Sequence, residues 1–197
     1  AWVCIDNEPD VETPAECLVI ATSTFPKERA PFQWLARAHD GLTSYITGKT
    51  FSEEIMFPWG SFKLVEQVYD TSDVYGFYSK LAGRAIARIA ETQFDRPVTM
   101  VEVGAGTGNG TLNVLDRTSH FERYVVTDVS KALVQRGRRR IKKLGHDFFE
   151  YRDLDISGDL AAQDMAAGQA DIVLAVNVLH ATNDLVPALR NAKKLLA

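Results

Sequence analysis

Four glycines at alternate positions, Gly104, Gly106, Gly108 and Gly110, follow the apolar run Val98–Val103 and precede helical-looking sequence from Thr111. Glycine lets a backbone turn tightly and pass close to a bound group, and the helix beyond offers free N–H groups. That is the chemistry of nucleotide binding, and the spacing narrows the guest. A dinucleotide fingerprint places a third glycine at the sixth position of GxGxxG, where this chain has Asn109. Glu102 puts a carboxylate two residues before Gly104. It would repel a pyrophosphate and suits a cationic guest such as the sulfonium and amino groups of S-adenosylmethionine. Asp128 stands 24 positions after Gly104, where a carboxylate can accept both ribose hydroxyls. It also fits a plain helix cap. Asp155, with Asp153 as its competitor, is placed to accept an adenine amino group, or to be a solvated loop residue. His180 lies where a strand would end, and an imidazole there can act as a general base near neutral pH. No His, Cys or Asp grouping has metal-ligand spacing.

These residues need strands to deliver them to one edge. The pattern supplies strands at Val98–Val103, at 123–127 ending on Asp128, near 147–151 and at 171–178. Between them it predicts a helix from about Asn109, one capped by Ser130 with Leu133, Ile141 and Leu144 inward and Gly145 as its stop, and a short alanine-rich one at 159–167. A last helix runs from about 184, with Leu185, Ala188, Leu189, Ala192, Leu195 and Leu196 on one face. Strand and helix alternate four times, which implies a mainly parallel sheet covered on both faces. The chain stops after the fourth helix, so further strands are expected beyond it. Upstream, 17–21 reads as a short strand or a helix turn. Helical patterns occupy 32–46, with Trp34 in the core, and 62–69. Asp70, Thr71, Ser72 and Asp73 form a capping cluster. Phe77, Tyr78, Leu81, Ala85, Ile86, Ile89 and Ala90 then repeat at helical spacing and should pack on the sheet.

A length of 197 residues fits one compact domain with an appended segment. The formal charge of -4 speaks against general nucleic-acid binding. The basic run QRGRRRIKK (135–143) reads as a solvated helix face, or as a docking patch for an acidic partner. Two cysteines, Cys4 and Cys17, lack a CxxC arrangement and fit a reduced, cytoplasmic protein. No apolar run is long enough to span a bilayer.

The string VEVGAGTG (101–108) resembles motif I of class I S-adenosylmethionine-dependent methyltransferases. Three further blocks, MFPWGSFKLVEQVY (56–69), VTDVS (126–130) and ADIVLAVNVLHATND (170–184), resemble the methyltransferase domains of modular polyketide synthases. The resemblance covers about residues 42–197. It implies a Rossmann-like α/β core over 58–197, incomplete at its C-terminus, with a mainly helical lid over 1–57. It implies S-adenosylmethionine bound by Glu102, Gly104, Ala105, Gly106, Gly108, Asp128, Leu154, Asp155 and Asn177. His180 is implied as the base, paired with a glutamate of a later strand, and Tyr69 as a second active-site candidate. The implied substrate is an acyl chain on the phosphopantetheine arm of an acyl carrier protein, beside other synthase domains, with no nucleic acid and no membrane. Methylation at the α-carbon or at a β-oxygen is left open, with carbon the commoner in the family. The alternatives are a stand-alone small-molecule O-methyltransferase, a nicotinamide oxidoreductase, and a non-catalytic module that only binds the cofactor.

Overall fold

The computed structural model describes residues 12–197. They divide into two compact units between Gly76 and Phe77. The break falls later than the 57/58 boundary expected from sequence.

The first unit is helical. Helix α1 (Pro14–Thr24) begins with a reciprocal cap. Glu16 N–H donates to the Thr13 hydroxyl at 3.3 Å, and the Glu16 carboxylate accepts from Thr13 N–H at 2.8 Å. This cap, with Pro14 in the first turn, decides the ambiguous stretch 17–21 in favour of helix. Helices α2 (Arg29–Ile46), α3 (Ser52–Met56) and α4 (Lys63–Thr71) follow. Trp34 of α2 is only half-buried, although its indole Nε1 is enclosed. Gly48 breaks the chain after α2 with a φ of 68°. The capping cluster is realised by Ser72, whose hydroxyl accepts from Tyr75 N–H at 3.0 Å to start α5 (Asp73–Thr92). Cys17 is a free, exposed thiol. Its possible partner Cys4 lies outside the described residues.

The second unit holds a four-stranded sheet of β1 (Val98–Val103), β2 (Phe121–Asp128), β3 (Phe149–Asp153) and β4 (Ile172–Ala175) in the order β3-β2-β1-β4. Every pairing is parallel. The crossovers are α6 (Asn109–Leu115) between β1 and β2 and α7 (Lys131–Ile141) between β2 and β3. Helix α8 (Leu185–Leu195) follows β4. Alternation along β1 separates two cores. Val98 and Met100 join Tyr124, Val126, Val114, Ile141 and, from α5, Ile86 and Ala90. Val101 and Val103 join Val125, Leu154, Ile156, Ala188 and Leu195 on the other face. The parallel strands carry near-continuous apolar runs because both faces are covered. No helix among the described residues is long and apolar enough to cross a membrane.

Several expected details shift. The third strand lies two residues later than 147–151. The fourth stops at Ala175, short of 178. The alanine-rich helix at 159–167 is a single 3-10 turn, Ala161–Gln163, because Asp164 adopts a left-handed φ of 55° and Gly168 one of 65°. On α7 the inward residues are Val134, Gly137 and Ile141, while Leu144 lies past the helix end and is exposed. On α8, Ala188, Asn191 and Leu195 are buried, whereas Leu185, Leu189 and Leu196 are exposed. Helix α5 sends Ile86 and Ala90 into the core, as expected. Phe77, Tyr78, Leu81 and Ile89 are exposed, as is Ala85.

Candidate cofactor site

Strand β1 ends at Val103, and the chain reverses through Gly104, Gly106 and Gly108, all left-handed, with φ of 66°, 58° and 85°. Gly104 is required twice over. Besides its φ, a Cβ there would sit 2.1 Å from Val178 Cγ2. Gly106 is different, since no atom lies within 4 Å of where its Cβ would be. The loop is fixed to β2 by Ala105 N–H donating to Thr127 O at 2.8 Å, and Thr127 Oγ1 donates to Glu102 O at 2.8 Å. Gly108 forms the N-cap of α6.

Asp128, at the end of β2, is buried. Its Oδ2 accepts from Gly106 N–H and its Oδ1 from Ser130 N–H, both at 2.9 Å. One carboxylate thereby joins the glycine loop to the turn that opens α7. Each oxygen retains lone-pair capacity for a further donor.

Glu102 is only 2% exposed. Its Oε2 accepts from Thr111 Oγ1 at 2.6 Å and from the Tyr124 hydroxyl at 2.5 Å, and a Cβ on Gly110 would meet its Oε1 at 2.5 Å. The side chain ties α6 to the strands beneath it. Burial pushes its carboxyl above the usual carboxylate range, against the opposing pull of the Thr111 and Tyr124 hydroxyls, and the nearby Asp128 charge adds to the rise. Burial and the Glu102 carboxylate push the Tyr124 phenol well up in turn.

At the carboxyl ends of the strands lies a cavity of about 230 Å³. Gly104, Asp128, Leu154, Asp155, Ser157, Val178 and Thr182 are among its walls. This is where open α/β sheets take ligands. Pockets for drug-sized ligands run to roughly 300–1,000 Å³, so the enclosed part is smaller than a whole site of that kind. Leu154 is buried, with its N–H donating to Asp128 O at 3.0 Å. Asp155 is exposed at the rim, its Oδ1 accepting from Ser157 N–H at 2.8 Å. Its competitor Asp153 pairs with Lys131 at 3.6 Å and is not among the cavity walls.

Asn177 and His180 follow β4 and are exposed. Asn177 is one of three non-glycine residues with positive φ among those described, at 55°. His180 sits on the 3-10 turn Leu179–Ala181, closed by Thr182 Oγ1 donating to Leu179 O at 2.7 Å. Its neighbours Ala181 and Thr182 line the cavity; Asn177 and His180 do not line the enclosed part. Tyr69 belongs to α4 of the first unit, half-buried and edge-on to Tyr75, with ring centroids 6.2 Å apart. Among the described residues no group of three or more His, Cys, Asp or Glu side chains could hold a metal ion.

Two loop-holding residues were hidden in the basic run. Gly137 of α7 brings the helix backbone against the glycine loop, with a notional Cβ 3.5 Å from Gly106 O. Arg140 donates to Thr107 O at 3.2 Å. A lone glycine inside a helical pattern was the available signal for such a close approach. Arg138 lies over the Tyr151 ring at 5.7 Å.

Residues 101–197 match a family model described as a methyltransferase domain. The chain is 36% identical over 163 residues to polyketide synthase ThaQ of Burkholderia thailandensis, which covers 79% of this chain and 8% of that protein. It is 31% identical over 170 residues to methyltransferase calH of Penicillium decumbens, covering 81% of this chain and 42% of the relative. Among solved structures, the CurJ carbon methyltransferase superposes with a TM-score of 0.87 at 26% identity, over 94% of this chain and 50% of that one. The trans-methyltransferase CalH, solved in complex with SAH, superposes with a TM-score of 0.71 at 28% identity, over 92% of this chain and 50% of that one. The chain thus spans half the length of these solved relatives and a small part of the synthase.

Proposed function

We propose that this chain, whose residues 101–197 match a methyltransferase-domain model, methylates an acyl intermediate within a polyketide synthase. The donor is S-adenosylmethionine. The acceptor is the α-carbon of an acyl chain on the phosphopantetheine arm of a carrier protein. One observation carries the cofactor reading. At the strand ends, the buried Asp128 carboxylate meets a glycine loop whose Gly106 opens onto empty space. A ribose needs a carboxylate there, and a cofactor needs a wall without side chains. Carbon is favoured over oxygen because CurJ, a solved relative above 25% identity, is a carbon methyltransferase.

When bound, S-adenosylmethionine supplies a methyl group on a sulfonium, already activated for transfer. The chain's own task is to hold, align and take up one proton. Asp128 accepts the ribose hydroxyls, Asp155 accepts the adenine amino group, and the backbone from Gly104 through Ala105 and Gly106 to Gly108 passes beside the cofactor. Leu154 packs against the adenine and Asn177 faces the methionine end. Glu102 is enclosed by Thr111, Tyr124 and Gly110, so its part is to position the loop rather than to touch the amino group. His180 accepts the proton from the carbon between two carbonyls, and the electron pair left on that carbon is the nucleophile. Tyr69 of the first unit is a further active-site candidate, on the resemblance alone.

The test places the domain in its full synthase module with S-adenosylmethionine and either β-ketoacyl or β-hydroxyacyl carrier protein. Product masses are then read by mass spectrometry. One added methyl on the α-carbon of the ketone is expected. Methylation confined to oxygen overturns the carbon assignment. Calorimetric binding of NAD without binding of SAH overturns the cofactor. Full activity in His180→Ala removes the base.

A further inference from the structure

Strand β3 ends at Asp153, yet the cavity wall continues through Asp155, Ile156 and Ser157. Among the described residues no strand pairs with this stretch. Two side-chain amides do so instead. The Gln163 Oε1 accepts from Asp155 N–H at 2.8 Å, and its Nε2 donates back to Asp155 O at 3.0 Å. A single carboxamide thus meets both backbone groups of Asp155, as a paired strand would. The second Nε2 hydrogen goes to Asp159 O at 3.0 Å. Gly158 makes room for this amide, since a Cβ there would lie 2.9 Å from Gln163 Nε2. From the other side, Asn191 of α8 is 7% exposed. It donates from Nδ2 to Ile156 O at 2.8 Å and to Gly158 O at 2.7 Å. The Ile156, Gly158 and Asp159 carbonyls take these amide donors, while Asp155 O also accepts from Gly158 N–H at 3.0 Å; a buried acceptor without a partner is costly.

We propose that Gln163 and Asn191 are positioning residues that build the adenine-side wall, and that Gln163 sets the selectivity for an amino-bearing purine by fixing Asp155. The proposal rests on the reading of this cavity as the adenine side of the cofactor site. A carboxylate selects a donor only if it cannot swing away. The Asp155 side chain is fixed by Ser157 N–H, and the Asp155 backbone by Gln163. Replacing Gln163 removes both amide bonds to the Asp155 backbone, leaving Asp155 O with Gly158 N–H alone, without altering Asp155 itself.

The experiment measures calorimetric dissociation constants for SAH and for an SAH analogue with hydrogen in place of the purine amino group. The proteins are the wild-type chain, Gln163→Met, Asn191→Leu and Asp155→Ala. The wild type is expected to prefer SAH by about tenfold, the scale of one well-made hydrogen bond to a charged group. Gln163→Met is expected to lose most of that preference, weakening SAH by about tenfold and the analogue by less than about threefold. A merely structural defect would weaken both alike. Asn191→Leu is expected to weaken both ligands. If the wild type shows no preference, the adenine role of Asp155 fails. If Asp155→Ala abolishes the preference and Gln163→Met keeps it, the adenine role stands and the positioning role of Gln163 is overturned. Wild-type hydrogen exchange supplies a check independent of how the variants fold. The Asp155 amide is expected to be protected like those of β3, and exchange at the rate of an open loop overturns the proposal.

Discussion

Gly104 and Gly106 share a left-handed backbone but not a neighbourhood, and the difference separates folding from binding. Alanine at either position carries the left-handed cost of roughly 1–2 kcal/mol. At Gly104 the new Cβ also collides with Val178, so Gly104→Ala is expected to lose cooperative folding in chemical denaturation. At Gly106 the methyl enters open space, so Gly106→Ala is expected to fold with a loss of about 2 kcal/mol or less. Its binding of SAH, read by calorimetry, should still weaken by tenfold or more if this backbone passes beside the cofactor as proposed. Beneath the loop, Tyr124→Phe takes one donor from the buried Glu102 carboxylate and is expected to cost about 1–3 kcal/mol. Because the folded-state carboxyl of Glu102 lies above its unfolded value, its contribution is complete below the unfolded pKa of about 4.3. It is lost as pH rises through the folded value. Wild type should therefore lose stability relative to Glu102→Gln as pH climbs from that point, as a pH series of melting curves would record. The glycines and Asp128 are legible in sequence because their partners lie within one strand–loop–helix unit. Tyr124, Gln163 and Asn191 are not, since a phenol or an amide in a helix or strand looks ordinary until the partner 22, 8 or 35 positions away is known.

Strands β1 and β4 are joined at their entry by one ion pair as well as by the ladder. Arg96 reaches both Asp171 oxygens, at 2.9 and 2.8 Å, and Thr99 N–H donates to the same carboxylate at 2.8 Å. Arg96 foremost, with Thr99 assisting, holds the Asp171 carboxyl below its usual range. Its stabilising contribution is present above the unfolded pKa of about 3.9 and disappears as pH falls through the lower folded value. Asp171→Asn is accordingly expected to lower the unfolding midpoint at neutral pH, with the gap to wild type closing in acid. The order of strands and long helices could be read from sequence because apolar periodicity reports burial directly. Short elements could not. The stretch 159–167 has helical composition, but its end is decided by left-handed Asp164, whose carbonyl is taken by Arg152 at 3.0 Å. The exposed side chains of α5 satisfy the same spacing rule as its buried ones, so periodicity alone could not separate them.

The division at Gly76 carries no compositional mark, because α5 runs through it without glycine- or proline-rich linker sequence. Pattern reading placed its lid boundary at 57/58 instead. Binding should be visible on the scale of the whole chain. SAH at one hundred times its dissociation constant is expected to add about 2.7 kcal/mol of stability, read as a raised unfolding midpoint. New hydrogen-exchange protection should be confined to the segments around Gly104, Asp128, Asp155 and Thr182. An unchanged midpoint at saturating SAH would count against the cofactor assignment. The two walls of the cavity are made of different material. The glycine loop is shaped by backbone conformation and by Val178 against Gly104, whereas the stretch after β3 is shaped by the amides of Gln163 and Asn191. Two codons thus govern one wall and almost none can be changed in the other. A library randomised at positions 163 and 191, screened first for folding, is where acceptance of purine-modified donors is expected to be tunable.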